Sequence, residues 1–220
     1  MTEKVAVIVH LCQTQVQPAQ EKMKLTYGVN QLRAAMILCA AALSLLLSGC
    51  STMKIDEVAS DSPQFRFEEY FAGHTKASGW FTDRFGKVRR HFCGDFFGQQ
   101  QDDGFLLDEV LYYTDGVVEK RQWLVNTTES GDFRAEAEAL IGGATGMIKG
   151  NALEMNYVMR VDLADGKQWQ LSMNDWMFYQ ADGSLHNATF VSKWGFRIGV
   201  VTTQYTKHDG ELLCSGSKSS

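Results

Sequence analysis

The sequence predicts an all-β domain, an antiparallel up-and-down meander of roughly eight to ten strands closed into a barrel. Three observations carry this. From Ala77 almost to the C terminus, apolar and polar residues alternate with period two, the spacing of strands that bury one face. Turn-forming pairs punctuate that alternation at short intervals: Phe85-Gly86, Asp103-Gly104, Asp115-Gly116, Gly131-Asp132, Gly142-Gly143, Gly150-Asn151, Asp165-Gly166, Asp182-Gly183 and Trp194-Gly195. Neither a helical stripe nor a proline breaks the series, so every strand can be hydrogen-bonded on both edges. A closed barrel satisfies all those edges, and a two-sheet sandwich is the alternative.

The N-terminal quarter follows different rules. Residues 34–47 form a mostly apolar run behind Arg33, too short to span a bilayer and shaped like a secretion signal. It ends at Leu47-Ser48-Gly49-Cys50, which resembles the lipobox of bacterial lipoproteins, where the cysteine is diacylated and becomes the new N terminus. Residues 1–22 contain Glu3 and Glu21 and would make an unusually long leader, so the expected start is Met23 and the expected signal peptide is 23–49. Residues 50–64 then read as lipidated Cys50 followed by a polar tether ending at Pro63, 65–208 as the barrel domain, and 209–220 as a polar tail. Residues 65–71, aromatic and acidic, suggest at most a helical turn or cap. Acylation of Cys50 would make the membrane the first partner, and Ser51 after the cysteine points to the outer membrane, with the domain facing the periplasm.

Composition narrows the function classes. The leader carries four of the 21 basic residues (Lys4, Lys22, Lys24, Arg33) and two of the 26 acidic ones (Glu3, Glu21). The remainder has 17 basic against 24 acidic residues, a net charge of −7, which disfavours nucleic acid as a partner. About 170 residues suit one domain with its own core. Two cysteines besides Cys50 remain after the leader, Cys93 and Cys214; an oxidising compartment permits them to pair, but no spacing argument brings them together. There is no nucleophile elbow, phosphate-cradling glycine loop or dinucleotide fingerprint, so no cofactor is implied. His74, His91, His186 and His208 lack ligand spacing, and no metal site is expected. Asp108 with Glu109, or Glu109 with Asp175, is the best acid/base pair available, and a weak one.

Alternation assigns side chains to the inside of the barrel. Leu153, Met155, Tyr157, Met159, Val161 and Leu163 share one face, with Glu154, Asn156, Arg160 and Asp162 on the other. A three-residue turn at 164–166 sets Val161 opposite Trp169, Met159 opposite Leu171 and Met155 opposite Asp175, which puts Asp175 inside. A turn at 181–183 sets Asn187 opposite Met177. A turn at 114–116 sets Leu107 opposite Trp123, Glu109 opposite Arg121 and Leu111 opposite Glu119; a two-residue turn would bring Gln122 to Glu109 instead. On the first hairpin Trp80, Val88, Phe92 and Phe96 define the apolar face, which Arg90 shares. The candidate ligand-binding residues are therefore Arg90, Glu109, Arg121, Trp123, Tyr157, Asp175 and Asn187. Their charges serve either an ion-pair network that fixes register or an anchor for the polar head of an apolar ligand.

The runs Tyr70-Phe71-Ala72-Gly73, Asp83-Arg84-Phe85-Gly86-Lys87, Leu107-Asp108-Glu109, Arg121-Gln122-Trp123, Gly150-Asn151-Ala152-Leu153 and Asp175-Trp176-Met177 resemble those of bacterial lipoproteins grouped as domain of unknown function 3833. The resemblance implies an envelope lipoprotein with a lipocalin-like barrel, and it implies no activity. Three functional expectations follow. In the first, the barrel holds a fatty acid or similar acyl ligand, its carboxylate met by Arg90 or Arg121. In the second, the barrel is filled by its own side chains and serves envelope interactions. In the third, the protein acts on lipid as an enzyme. The volume inside the barrel separates the first two.

Overall fold

A computed structural model describes residues 53–162, 166–208 and Cys214. Cys50, the expected signal segment, Leu163 and most of the C-terminal tail lie outside these residues. Ten antiparallel strands follow one another in chain order: β1 Gly73–Asp83, β2 Val88–Gln101, β3 Gly104–Tyr113, β4 Val118–Thr127, β5 Asp132–Glu136, β6 Leu140–Lys149, β7 Ala152–Asp162, β8 Gln168–Tyr179, β9 Leu185–Lys193 and β10 Phe196–Lys207. Each pairs with its sequence neighbours, and β1 pairs with β10 from Thr75↔Lys207 to Asp83↔Gly199, so the sheet closes. Closure removes the exposed edges that an open sheet of this length would present.

The inferred registers hold on three hairpins. Leu107↔Trp123, Glu109↔Arg121 and Leu111↔Glu119 pair between β3 and β4. Met155↔Asp175, Met159↔Leu171 and Val161↔Trp169 pair between β7 and β8, and Met177↔Asn187 between β8 and β9. Turn chemistry explains the best-defined case, β9–β10, where Trp194 and Gly195 both have positive φ, 51° and 82°, in a two-residue turn closed by Lys193↔Phe196.

Two expectations about the strands are corrected. Trp80 faces outward against His91, while Thr75, Ala77, Gly79 and Phe81 face the interior. A bulge shifts register between Phe81↔Arg90 and Thr82↔Val88, and a one-residue shift moves every side chain beyond it to the other face. Trp80 and Val88 thereby lose the face that Arg90, Phe92 and Phe96 keep. Gly142-Gly143 is not a turn: both residues have positive φ inside β6, where the pairing skips between Ile141 and Ala144. The β5–β6 connection is residues 137–139, closed by the Leu140 N–H donating to the Ala137 carbonyl at 3.0 Å.

Two short helices precede the barrel, α1 Ile55–Val58 and α2 Phe67–Phe71. Residues 53–64, expected as a tether, are held against the β6–β7 turn instead. Asp56 pairs with Lys149 at 2.5 Å, the Asn151 side chain accepts from the Ser60 N–H at 2.7 Å, and the Phe65 N–H donates to the Gly150 carbonyl at 2.8 Å. The tether's polar composition is that of a segment seated on a surface through hydrogen bonds, which period-based reading does not distinguish from a free linker.

Helix α2 closes one end of the barrel. Phe65, Phe67, Tyr70 and Phe71 are buried and meet Phe96, Phe105, Phe133, Tyr179 and Tyr205 in tilted and edge-to-face contacts 5.2–6.3 Å between centroids. Tyr70 donates its hydroxyl to the Tyr205 carbonyl at 3.1 Å. The helix lies so close to β2 that a Cβ at Gly98 would collide with the Phe71 carbonyl and the Phe105 ring. On the outer face of β2, Cys93 forms a disulfide with the buried Cys214 and ties the C-terminal tail to the barrel.

Candidate functional site

The barrel is hollow. A cavity of about 400 Å³ runs from Phe67 and Phe71 on the floor up to Phe81, Arg90, Trp169 and Ile198 near the opposite end. Small-molecule sites typically occupy roughly 300–1,000 Å³. The floor residues are fully buried and the upper residues only partly so, which places the mouth at the β1–β2, β3–β4, β7–β8 and β9–β10 turns. Much of the wall is apolar: Leu107, Leu111, Met155, Met159, Met173 and Met177 with Phe92 and Phe96. Unbranched methionines on β7 and β8 give it a surface that adapts to shape.

All seven candidate residues line this cavity. They form two groups. In the first, Arg121 sits between two carboxylates, donating to Glu109 Oε1 at 2.7 Å and to Glu119 Oε2. Trp123 donates its indole N–H to the other Glu109 oxygen at 2.7 Å. Arg90 stands nearer the mouth, forked onto Asp115 at 2.8 and 3.1 Å, 3.5 Å from Glu119, and stacked over the Tyr113 ring at 3.4 Å. Burial pulls the Arg121 guanidinium down, but the charges of Glu109 and Glu119 outweigh it and keep the group ionised. Burial pushes the Tyr113 hydroxyl up to about 12, with the Glu119 charge adding to it.

The second group lies on β7, β8 and β9. Tyr157 donates to Asp175 Oδ2 at 3.1 Å, and the Asn187 amide donates to Asp175 Oδ1 and to the Trp176 carbonyl at 3.1 Å. Thr189 donates to the Asn187 carbonyl oxygen at 3.3 Å. Burial raises Asp175 to about 6, against the hydrogen bonds from Asn187, Thr189 and Tyr157, and the Glu109 charge adds to the rise. Trp123 and Tyr157 touch edge to face, 5.7 Å between centroids, and join the two groups.

Sequence reasoning missed the partners that neutralise the arginines. Glu119 was available from alternation, two positions before Arg121 on the same inward face, yet it served only to fix register. Asp115 was read as a turn residue, and its side chain does cap that turn by accepting from the Val117 N–H at 3.1 Å. The same carboxylate also grips Arg90, a contact no local pattern announces. Asp108 of the weak acid/base pair faces outward and binds Gln122 at 2.9 Å. Among the described residues no group of three or more His, Cys, Asp or Glu is placed to hold a metal ion.

No curated protein matches the chain. Among solved structures, the S-type phycobiliprotein lyase CPES from Guillardia theta is similar, with a TM-score of 0.50 at 5% identity, covering 72% of this chain and 95% of that one. At that identity the likeness speaks for the barrel fold alone. A family model described as "Protein of unknown function (DUF3833)" matches residues 44–207, most of the chain and all of the barrel, and the protein belongs to that family.

Proposed function

We propose that the barrel is a binding vessel for an elongated apolar ligand of acyl type, on a protein carried at the outer membrane by acyl chains on Cys50. The observation that carries the first part is the cavity of about 400 Å³ with methionine and phenylalanine walls, which a self-filled barrel would lack. The lipobox at 47–50 supports the second.

The polar groups refine the ligand. A free carboxylate head was the expectation from Arg90 and Arg121, but both guanidinium groups are already matched by Asp115, Glu109 and Glu119, three carboxylates against two cations. At Arg121 a ligand anion would have to displace Glu109 or Glu119 and strand it in a site of low polarity. An uncharged amide, ester or hydroxyl head fits better, exchanging hydrogen bonds with Tyr157, Asn187 and Asp175 while the chain lies along Met155, Met159 and Met173.

The test is a titration of residues 53–220, shown folded by a cooperative melt, with fluorescent acyl probes that differ only in the head. An acyl amide should bind saturably and more tightly than the free acid. Asn187→Ala should weaken amide binding about tenfold, the value of one lost hydrogen bond at a buried head, with surface Arg160→Ala unchanged. Absence of saturable binding for every probe would move the assignment to envelope interaction.

A further inference from the structure

Most of the exposed large apolar side chains gather at one end: Phe85, Val88, Val117, Val118, Ile141, Trp194 and Phe196 stand at the mouth, while Trp80 and Phe97 lie on the outer faces of β1 and β2. Within this rim one sector is distinct. The β1–β2 and β9–β10 turns are neighbours because β1 pairs with β10, and the Arg84 N–H donates to the Ile198 carbonyl at 2.9 Å. Together they raise Phe85, Trp194 and Phe196, which are 77%, 85% and 71% exposed.

Charge sorts the same way. The two turns carry Arg84, Lys87, Arg89, Lys193 and Arg197, and among the described residues only Asp83 forms an ion pair with any of them, with Arg89. The far side of the rim, at the ends of β5, β6 and β7, exposes three acidic residues, Glu136, Glu138 and Asp162, beside one cation, Arg160. This cationic, aromatic sector sits on a chain whose net charge is −5. The cations lie over the rings: Lys193 over Trp169 and Trp194, Arg84 over Phe85, Arg197 over Phe190. A tryptophan at φ 51° is also costly, since the left-handed position of this turn favours Asn, Asp or Gly. A bulky ring held there in solvent stabilises nothing in the barrel, so its use lies outside it.

We infer that this sector docks the mouth of the barrel onto an anionic lipid bilayer, Phe85, Trp194 and Phe196 entering the interface and the five cations meeting lipid phosphates. Tryptophan and phenylalanine tips flanked by Lys and Arg are the chemistry of an interfacial anchor. Residues 53–64 join the barrel at the β6–β7 turn, at the end opposite this surface. The inference does not depend on the ligand reading.

The experiment reconstitutes the full chain in vesicles with brominated acyl chains, made of phosphatidylcholine alone or with one-third phosphatidylglycerol. The emission of Trp194 is isolated as the difference between the unmodified chain and Trp194→Phe. Since every bilayer carries bromine, the readout does not depend on which one the rim meets. In anionic vesicles Trp194 should shift to the blue and be quenched, and raised salt should reverse both. Arg84→Glu with Lys87→Glu should weaken the effect more than tenfold, at about fivefold per cation lost. A solvent-like, unquenched Trp194 in both vesicle types would overturn the inference. So would equal quenching without anionic lipid, or no response to the two charge reversals.

Discussion

The two ends of the barrel are cut from the same strands and built to opposite rules. At the floor, α2 brings Phe67, Tyr70 and Phe71 onto Phe96, Phe105, Phe133 and Tyr205, every ring touches others, and the Tyr70 hydroxyl is satisfied by a backbone carbonyl. At the mouth, Phe85, Trp194 and Phe196 touch little but solvent and cations. Between them lies the polar belt of Arg121, Glu109 and Asp175, where each buried charge has partners. Aromatic residues thus mean stability at one end and exposure to a partner at the other, and burial rather than residue type tells them apart.

The sharpest way to break that comparison is to truncate one ring at each end. Phe71→Ala leaves a cavity beneath the whole vessel and should cost about 3–5 kcal/mol, whereas Phe196→Ala should stay within about 0.5 kcal/mol. Urea melts of the two variants check it, and equal costs would mean the mouth is packed as the floor is.

A smaller effect probes the belt. The unfolded chain releases the Asp175 proton at about 3.9, while burial holds it to about 6 in the folded protein. The folded state therefore binds the extra proton between those values. The contribution of this group is fully present below about pH 4 and is lost as pH rises through 6, by roughly 3 kcal/mol in all. Stability against pH should fall across that window, and Asp175→Asn, which keeps the hydrogen-bonding shape without the charge, should flatten the fall. An unchanged slope would place Asp175 in contact with water.

Much of this was legible in the sequence, for particular reasons. Period two and the Asp115-Gly116 turn narrowed the partner of Glu109 to Arg121 or Gln122, depending on the length of the turn, and the three-residue turn with Arg121 is the one found. The Met155↔Asp175 pairing followed in the same way. Trp80 went to the wrong face because a bulge adds one residue that alternation cannot see. The reading of residues 65–71 as a helical turn or cap fits α2, but its role as the barrel floor rests on Gly98 letting it approach β2, which no local period announces. The Cys93–Cys214 bond spans 121 residues and is fixed by where the tail returns, which is tertiary information. The arginines' partners were missed for a related reason. Alternation says which side chains point inward and is silent on which inward charges touch.

The central claim is that the interior is empty for a ligand, and filling it tests that claim most directly. Met173 lines the cavity and is only partly buried, so Met173→Trp adds bulk where space exists. Acyl-amide titration of this variant, alongside its melting curve, should show binding lost with the fold retained. Binding of unchanged affinity by a folded Met173→Trp protein would contradict the account, because the ligand would then lie somewhere other than inside the barrel.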